Sequence, residues 1–99
     1  MAVVTVMRFA GDPDELFAKV RDHVDPVTTR LSPKHGRISN VVARTEEGIL
    51  VVNLWGSEEG RQAMAEEPDV QQAVMGAGLP RPDVQVLEVL AHHMDDPAG

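Results

Sequence analysis

Two apolar runs joined by a short polar turn constrain the fold of this chain more than any other feature. They lie in residues 37–57, RISNVVARTEEGILVVNLWGS, which include the single tryptophan, Trp55. Both runs are rich in valine, isoleucine and leucine, which favour β-strands. The turn ends at Gly48, where we expect a positive φ because a short hairpin loop with a bulge requires one. The segment therefore predicts a β-hairpin.

The predicted hairpin places two amides and an indole on one face of a sheet. In the register that pairs the residues flanking the turn, Asn40 lies opposite Asn53, and Ile38 lies opposite Trp55. Asn53 and Trp55 share a face in any register, because they are two residues apart on one strand. The opposite face is apolar and carries Ser39, Val41, Ala43, Leu50, Val52 and Leu54.

The residues before the hairpin predict a strand and a long helix. Residues 2–9 alternate between apolar faces, as a strand does. Asp12 is a good N-cap, and the apolar spacing after it predicts a helix that ends near residue 31. Pro26 lies inside that helix, so we expect a kink or a new helical segment near Asp25. A loop is predicted over residues 32–36, between the end of the helix and the hairpin.

Two shorter helices and a last strand follow the hairpin. Ser57 is the predicted N-cap of the first helix, and Asp69 is the predicted N-cap of the second. Gly76 or Gly78 is expected to close the second helix. Residues 83–91 alternate as a final strand, and the tail from about residue 93 is expected to fray.

The order of these elements predicts an α+β fold. A βαββαβ chain builds a ferredoxin-like domain with a four-stranded antiparallel sheet, here a single domain over residues 1–99. Its helices cover one face of the sheet, yet the strands carry apolar side chains on both faces. Because an apolar sheet face left in water is unfavourable, we predict a homodimer that packs sheet on sheet.

Charge and composition exclude several classes of partner. The net charge of −7 disfavours nucleic acid and anionic membranes, because both would repel the protein. Without cysteine the chain has no disulfide, thiolate metal site or cysteine nucleophile. No apolar run approaches the roughly 20 residues of a membrane span, and MAVVTVMRF lacks the charged leader of a signal peptide. We therefore predict a soluble cytoplasmic protein that is not bound to a membrane.

Three features together resemble a known group of proteins. They are the element order, the strand end NLW followed by SEEGRQAM, and the segment EEPDVQQAVMGAGLP before the last strand. From residue 2 to about residue 91 the chain resembles the dimeric α+β barrel superfamily, and within it the antibiotic-biosynthesis-monooxygenase-like proteins. The resemblance implies a homodimer whose sheets form a barrel, with a pocket between sheet and helices in each subunit.

The same resemblance suggests an activity and argues against a cofactor. Members of the group include cofactor-free oxygenases acting on polycyclic phenols or quinols, and enzymes that degrade haem. This chain has no tyrosine, and residues 57–76 contain no histidine that could bind haem iron. We therefore predict that it uses no cofactor. Its four histidines are scattered without a helical i, i+4 pair, so we predict no metal site either.

Asn53 and His23 are the candidate catalytic residues. Asn53 would donate a hydrogen bond to a substrate carbonyl or a developing enolate, or else it bonds nearby backbone as a structural residue. His23 lies on the apolar stripe of the first helix, where it would act as a general base, or else it meets solvent at the edge of the stripe.

Four more residues are candidates for binding substrate. Trp55 would stack on an aromatic ligand, unless it only fills the core. Asn40 joins the pocket if the predicted register is right. His35 and Arg37 flank the start of a strand and would bind an anionic group at the mouth of the cleft, unless both are solvated loop residues.

These candidates support one leading function and two alternatives. The leading hypothesis is a homodimer that binds a small, flat aromatic or quinol-like molecule and oxygenates it without a cofactor. The first alternative is a non-catalytic dimeric binding or interaction module. The second is a cyclase or isomerase that acts on a polyketide-like substrate without redox chemistry.

Overall fold

A computed structural model describes residues 1–94 of the chain. One antiparallel sheet of four strands lies at the centre of its fold. Its strands are β1 (Val3–Ala10), β2 (Arg37–Arg44), β3 (Gly48–Trp55) and β4 (Asp83–Glu88). They are arranged in the order β2-β3-β1-β4, and every neighbouring pair is antiparallel. The predicted ferredoxin-like βαββαβ fold is confirmed.

The first helical run contains a π-helical turn. Helix α1 (Pro13–Lys19) begins at Asp12, whose carboxylate accepts a hydrogen bond from the Glu15 amide at 2.9 Å. The segment Val20–Val24 is π-helical, and the Asp25 amide donates to the Val20 carbonyl. Helix α2 (Asp25–His35) follows directly. The new segment predicted near Asp25 is therefore present, and the hydrogen-bond pattern of the helix changes just before Pro26, which has no amide proton to donate.

Helix α2 extends beyond its predicted end near residue 31. It continues to His35 although Pro33 lies inside it, and Gly36 closes it in the left-handed conformation with φ of 76°. Tertiary contacts hold this last turn. The His35 ring contacts the Glu67 carboxylate at 2.7 Å, and the His35 carbonyl packs directly against Gly60, where a Cβ atom would approach it to 2.1 Å. The loop prediction was wrong because these contacts outweigh the proline.

Helices α3 (Glu58–Ala65) and α4 (Pro68–Ala77) follow the hairpin. Ser57 caps α3 as predicted, accepting a hydrogen bond from the Gly60 amide at 3.0 Å. The N-cap of α4 is Glu67 and not Asp69, because Pro68 takes the first helical position. Gly78 closes α4 in the left-handed conformation, which confirms one of the two predicted ends.

Strand β4 ends earlier than residue 91. Its partner β1 begins at Val3, which pairs with Glu88, and the Val89 amide reaches Ala2 at 3.0 Å. Residues 95–99 of the tail that was predicted to fray lie outside the described residues.

Gly48 is needed for a reason that differs from the prediction. Its φ is not positive. A Cβ atom at this position would lie 1.9 Å from the carbonyl oxygen of Phe9 on β1. Glycine therefore allows the hairpin turn to approach β1 closely.

The helices lie against one face of the sheet, where the buried side chains form two clusters. One cluster joins Phe9 and Val51 to the first helical run, and the other joins Trp55 to Met64 of α3. The opposite face, which we call the outer face, has no covering element among residues 1–94. No helix in this part of the chain is long and apolar enough to cross a bilayer. The cytoplasmic location stays a prediction.

Candidate functional site

A cavity of about 240 Å³ lies between the helix face of the sheet and the helices. Apolar side chains form most of its wall, and the polar lining residues come from three of the strands and from α2 and α3. A single benzene ring fits a cavity of about 150 Å³, so this one has room for roughly two fused rings. Its lining comprises Thr5, Met7, Phe9, Val20, Val24, Asp25, Thr28, Arg37, Asn40, Val51, Asn53, Trp55, Arg61, Met64, Ala65, Val70, Val74, Leu79, Pro82 and Val84.

A second concavity, of about 350 Å³, lies beside the hairpin turn. Its lining is largely charged and includes Arg8, Glu46, Glu47 and Asp83. It lacks the combination of apolar wall and buried amide that marks the first cavity, so we take the first cavity as the candidate site.

Two amides and a hydroxyl form a polar row across the cavity floor. Asn40 pairs with Asn53, and Asn53 pairs with Thr5 of β1, so all three point to the helix face. The Asn40 Nδ2 atom donates a hydrogen bond to Asn53 Oδ1 at 2.6 Å. The predicted pairing of the two asparagines is confirmed.

The side-chain NH₂ group of Asn53 is free to donate hydrogen bonds to a ligand. The residue is 7% exposed, and no buried side-chain polar atom among the described residues lacks a hydrogen-bond partner. Its Nδ2 atom makes no hydrogen bond within residues 1–94, so this atom must be accessible rather than buried. Because Asn40 holds the Oδ1 atom, the free NH₂ group of Asn53 faces the cavity that the residue lines.

Trp55 lies beside this row on the same strand. It is 5% exposed, and its Nε1 atom donates to Thr5 Oγ1 at a long 3.4 Å. The indole packs on Met64 and lines the cavity with one surface. It thus has both of the roles weighed from the sequence, as a core residue and as part of the pocket wall.

A β-bulge at Ile38 changes the predicted pairing of Trp55. The register shifts between Arg37 and Ser39, so Trp55 pairs with Arg37 and not with Ile38. The cause lies just outside the strands, where the Gly56 amide donates to the Gly36 carbonyl at 2.9 Å and fixes where β2 begins. The extra residue turns Arg37 to the helix face, where it lines the cavity.

Three charged side chains reach the cavity. Burial lowers the pKa of Arg37, and the nearby carboxylate of Asp25 partly opposes this shift. Arg61 is held by Glu58 through two hydrogen bonds, one of them 2.8 Å long from Nε. The same hydrogen bonds lower the pKa of Glu58 to about 2, so the pair keeps both charges at neutral pH.

The two histidines predicted for the site do not line the cavity. His23 lies in the π-helical turn with its side chain exposed, so its position gives no support to a role as general base. The side chain of His35 is 9% exposed and contacts Glu67, which also forms an ion pair with Lys34. His35 thus joins α2 to the start of α4 and does not face a ligand.

Sequence reasoning missed four polar residues of the site. Thr5, Asp25, Thr28 and Arg61 line the cavity together with the predicted amides. Thr5 was identifiable, since it alternates with apolar residues on β1. Asp25 and Arg61 lie on helices whose rotation toward the sheet depends on packing, and no local pattern fixes that rotation. Within residues 1–94, no group of three or more potential metal-binding side chains comes together.

Comparisons with known proteins agree with this architecture. No family model and no curated protein matches the sequence. Among solved structures, Rv0793 from Mycobacterium tuberculosis superposes with a TM-score of 0.71 at 21% identity, over 95% of this chain and 100% of that chain. SnoaB, a cofactor-independent oxygenase from Streptomyces nogalater, superposes with a TM-score of 0.70 at 14% identity, over 92% and 95% of the two chains.

A third structure was solved with a ligand. It is a monooxygenase from the gene ActVA-Orf6 of Streptomyces coelicolor in complex with nanaomycin D. It superposes with a TM-score of 0.68 at 17% identity, over 96% of this chain and 92% of that one. The chain has the fold of the antibiotic-biosynthesis-monooxygenase-like proteins. At such low identity these matches show the fold alone, and they confirm the resemblance seen in the sequence at that level.

Proposed function

We propose that the protein binds a small, flat, mostly apolar aromatic molecule in this cavity and oxygenates it without a cofactor. The observation that carries the proposal is the free NH₂ group of Asn53, held in place by Asn40 beside an apolar wall. An amide donor in such surroundings suits a ligand carbonyl or phenolic oxygen. Trp55 provides a flat surface next to it.

The chemistry requires little from the protein beyond position and charge. Asp25 lines the cavity and would accept the proton of the ligand hydroxyl. Asn53 would then stabilise the phenolate oxygen. The electron-rich phenolate passes one electron to O₂, and the two radicals combine at a ring carbon that bears a hydrogen to give a peroxide anion. This anion takes back the proton held by Asp25 and becomes a hydroperoxide. Loss of water leaves a quinone that carries one of the two oxygen atoms.

Oxygen uptake in the presence of anthrone-like phenols and quinols tests this proposal. We expect turnover by the wild type, and a fall of about 10²-fold or more in Asn53→Ala in a protein that keeps the circular dichroism spectrum of the folded wild type. Ser39→Ala is the control, because Ser39 lies on the outer face of the neighbouring strand. Saturable binding of these compounds without oxygen uptake would contradict the oxygenase. It would favour a binding module or a cyclase or isomerase.

We further propose that two copies of the chain pack outer face to outer face. The central row of that face runs Val41–Val52–Val6 across three strands, and the next row runs Leu54–Val4–Leu87. Val41 is 55% exposed and Leu87 is 47% exposed in the single chain. In a two-fold symmetric dimer the same surface of each copy contacts its counterpart, so both apolar outer faces would be buried together.

Sedimentation at micromolar concentration tests the dimer. We expect a mass twice that of the 10.8 kDa chain. A mass equal to one chain at this concentration would contradict the proposal and leave the apolar outer face in water. The result is independent of any ligand, so it separates the assembly from the activity.

A further inference from the structure

Arg37 differs from every other arginine in the described part of the chain. Four arginines form ion pairs with carboxylates: Arg21, Arg30, Arg44 and Arg61. Arg8 and Arg81 have no such partner but are exposed to water. Arg37 is half-buried, lines the cavity, and forms no ion pair or side-chain hydrogen bond within residues 1–94. Its guanidinium group therefore has five N–H donors without a protein acceptor.

The local backbone places this charge in the cavity. In an unbroken strand, the alternation that points Asn40 to the helix face would point Arg37 to the outer face. The bulge at Ile38 reverses the direction of Arg37, and the bond between Gly56 and Gly36 fixes the bulge. A charge directed into a mostly apolar cavity is unfavourable unless a counter-charge meets it. No carboxylate among the described residues forms an ion pair with Arg37, and Asp25 acts on it only from farther away, so direct contact with the guanidinium is left for a ligand anion.

The other charges that face the cavity leave room for an anion. Arg61 is already neutralised by two hydrogen bonds from its guanidinium to Glu58. Asp25 acts on Arg37 through its field but does not come within ion-pair distance of it. Asp25 would repel a ligand anion that contacts Arg37. This repulsion is weaker than the attraction to Arg37, because the anion touches Arg37 directly and Coulomb energy falls with distance. The guanidinium fork matches the two oxygens of a carboxylate.

We propose that the ligand of this cavity is an aromatic carboxylic acid whose carboxylate pairs with Arg37, an inference that rests on the ligand cavity proposed above. Arg37 pairs with Trp55, and Asn53 lies two residues along the same strand, roughly 7 Å away. This spacing is similar to that between substituents at opposite ends of one or two aromatic rings. Arg37 binds the acid group while Asn53 binds a hydroxyl or carbonyl at the far end.

Calorimetric titration with two matched probes tests the acid group. The first is a hydroxynaphthoate with its hydroxyl and carboxylate on different rings, and the second is the corresponding hydroxynaphthamide, which has the same shape without the charge. We expect the wild type to bind the acid at least about tenfold more tightly than the amide. Arg37→Gln should remove that preference and leave the affinity for the amide unchanged. Arg44→Gln is the control, because it makes the same charge change on the same strand outside the cavity.

The outcomes separate this inference from the proposed function. Equal binding of acid and amide by the wild type would overturn the role of Arg37 while the ligand cavity stands. Equal weakening of both probes in Arg37→Gln would also overturn it, since Arg37 would then only shape the wall. If neither probe binds the wild type, the cavity proposal fails together with the inference. The comparison of the two probes on the wild type needs no variant, so it holds even where Arg37→Gln does not fold.

Discussion

The two faces of the sheet are built from alternate residues of the same strands, yet they differ in burial and in chemical character. On β3, the side chains of Ile49, Val51, Asn53 and Trp55 are buried under the helices, while those of Leu50, Val52 and Leu54 are only half-buried. The buried face includes amides, an indole and a hydroxyl, and the exposed face is mainly aliphatic. On β3, hydrophobicity alone does not tell which of the two faces lies under the helices. Polar groups on the face that the helices bury favour a ligand site, and apolar groups on the uncovered outer face favour a protein partner.

Neighbouring residues of β3 give the largest expected contrast between the faces. Ile49 is 2% exposed and packs in the core, so Ile49→Ala should lower the free energy of unfolding by about 2–5 kcal/mol. Leu50 points to the outer face and is half-buried in the single chain. Leu50→Ala should therefore cost about 1 kcal/mol in the monomer, because less surface is lost from a buried site.

Urea unfolding at a protein concentration too low for association measures both variants. Equal losses for Ile49→Ala and Leu50→Ala under these conditions would contradict the comparison, because they would place Leu50 in a core of its own chain. A loss for Leu50→Ala that grows with protein concentration would sharpen it, since the extra part belongs to association.

Helices α2 and α3, which pack over the buried face of the sheet, contact each other closely at Gly60. A Cβ atom at Gly60 would lie 2.1 Å from the His35 carbonyl oxygen, so Gly60→Ala must push α3 away from the end of α2. We expect a loss of about 1–3 kcal/mol in unfolding free energy. Gly76→Ala is the matched control, because a Cβ there meets nothing within 4 Å. Thermal melts of both variants decide the point, and a Gly60→Ala protein as stable as wild type would contradict it.

Val52→Asp tests the outer face directly. Val52 lies in the centre of the face, paired with Val6 on one side and Val41 on the other. A carboxylate there would be desolvated in a sheet-on-sheet dimer but solvated in a monomer. We expect the mass in solution to fall to that of one chain while circular dichroism keeps the β-sheet signal. A Val52→Asp protein that stays dimeric would show that the contact lies elsewhere.

The sequence allowed prediction of the features that depend on local pattern. Alternation of apolar residues identified the strands, and the caps at Asp12 and Ser57 located two helix starts because each needs only residues three positions away. The pairing of Asn40 with Asn53 followed from the turn length. Each of these is settled within one element or one hairpin.

The errors arose where distant parts of the chain meet. The bulge at Ile38 depends on the bond between Gly56 and Gly36, which joins the two ends of the hairpin. The length of α2 depends on contacts of His35 with residues of α3 and α4. The side chain of His23 is exposed in the π-helical turn, which rotates by fewer degrees per residue than the α-helical spacing used for the prediction. No pattern within a short window encodes these contacts.

The smallest expected effect concerns the ion pairs of Glu67 at the edge of the helix layer. Hydrogen bonds from His35 and then from Lys34 lower the pKa of Glu67 below its usual value of 4.5. The folded state therefore favours the charged carboxylate. The resulting stability is present above about pH 4.5 and is lost as the pH falls through the lowered pKa.

Glu67→Gln removes this contribution, so the variant should be less stable than wild type near neutral pH, and the difference should shrink as the pH falls below about 4.5. Glu66→Gln is the control, because Glu66 is exposed and has no ion pair within residues 1–94. Urea unfolding across this pH range measures both. A difference between Glu67→Gln and wild type that stays constant with pH would mean that the carboxylate contributes by packing. The contact of Glu67 with His35 and Lys34, which joins α2 to the start of α4, would then stabilise the fold by packing and not by charge.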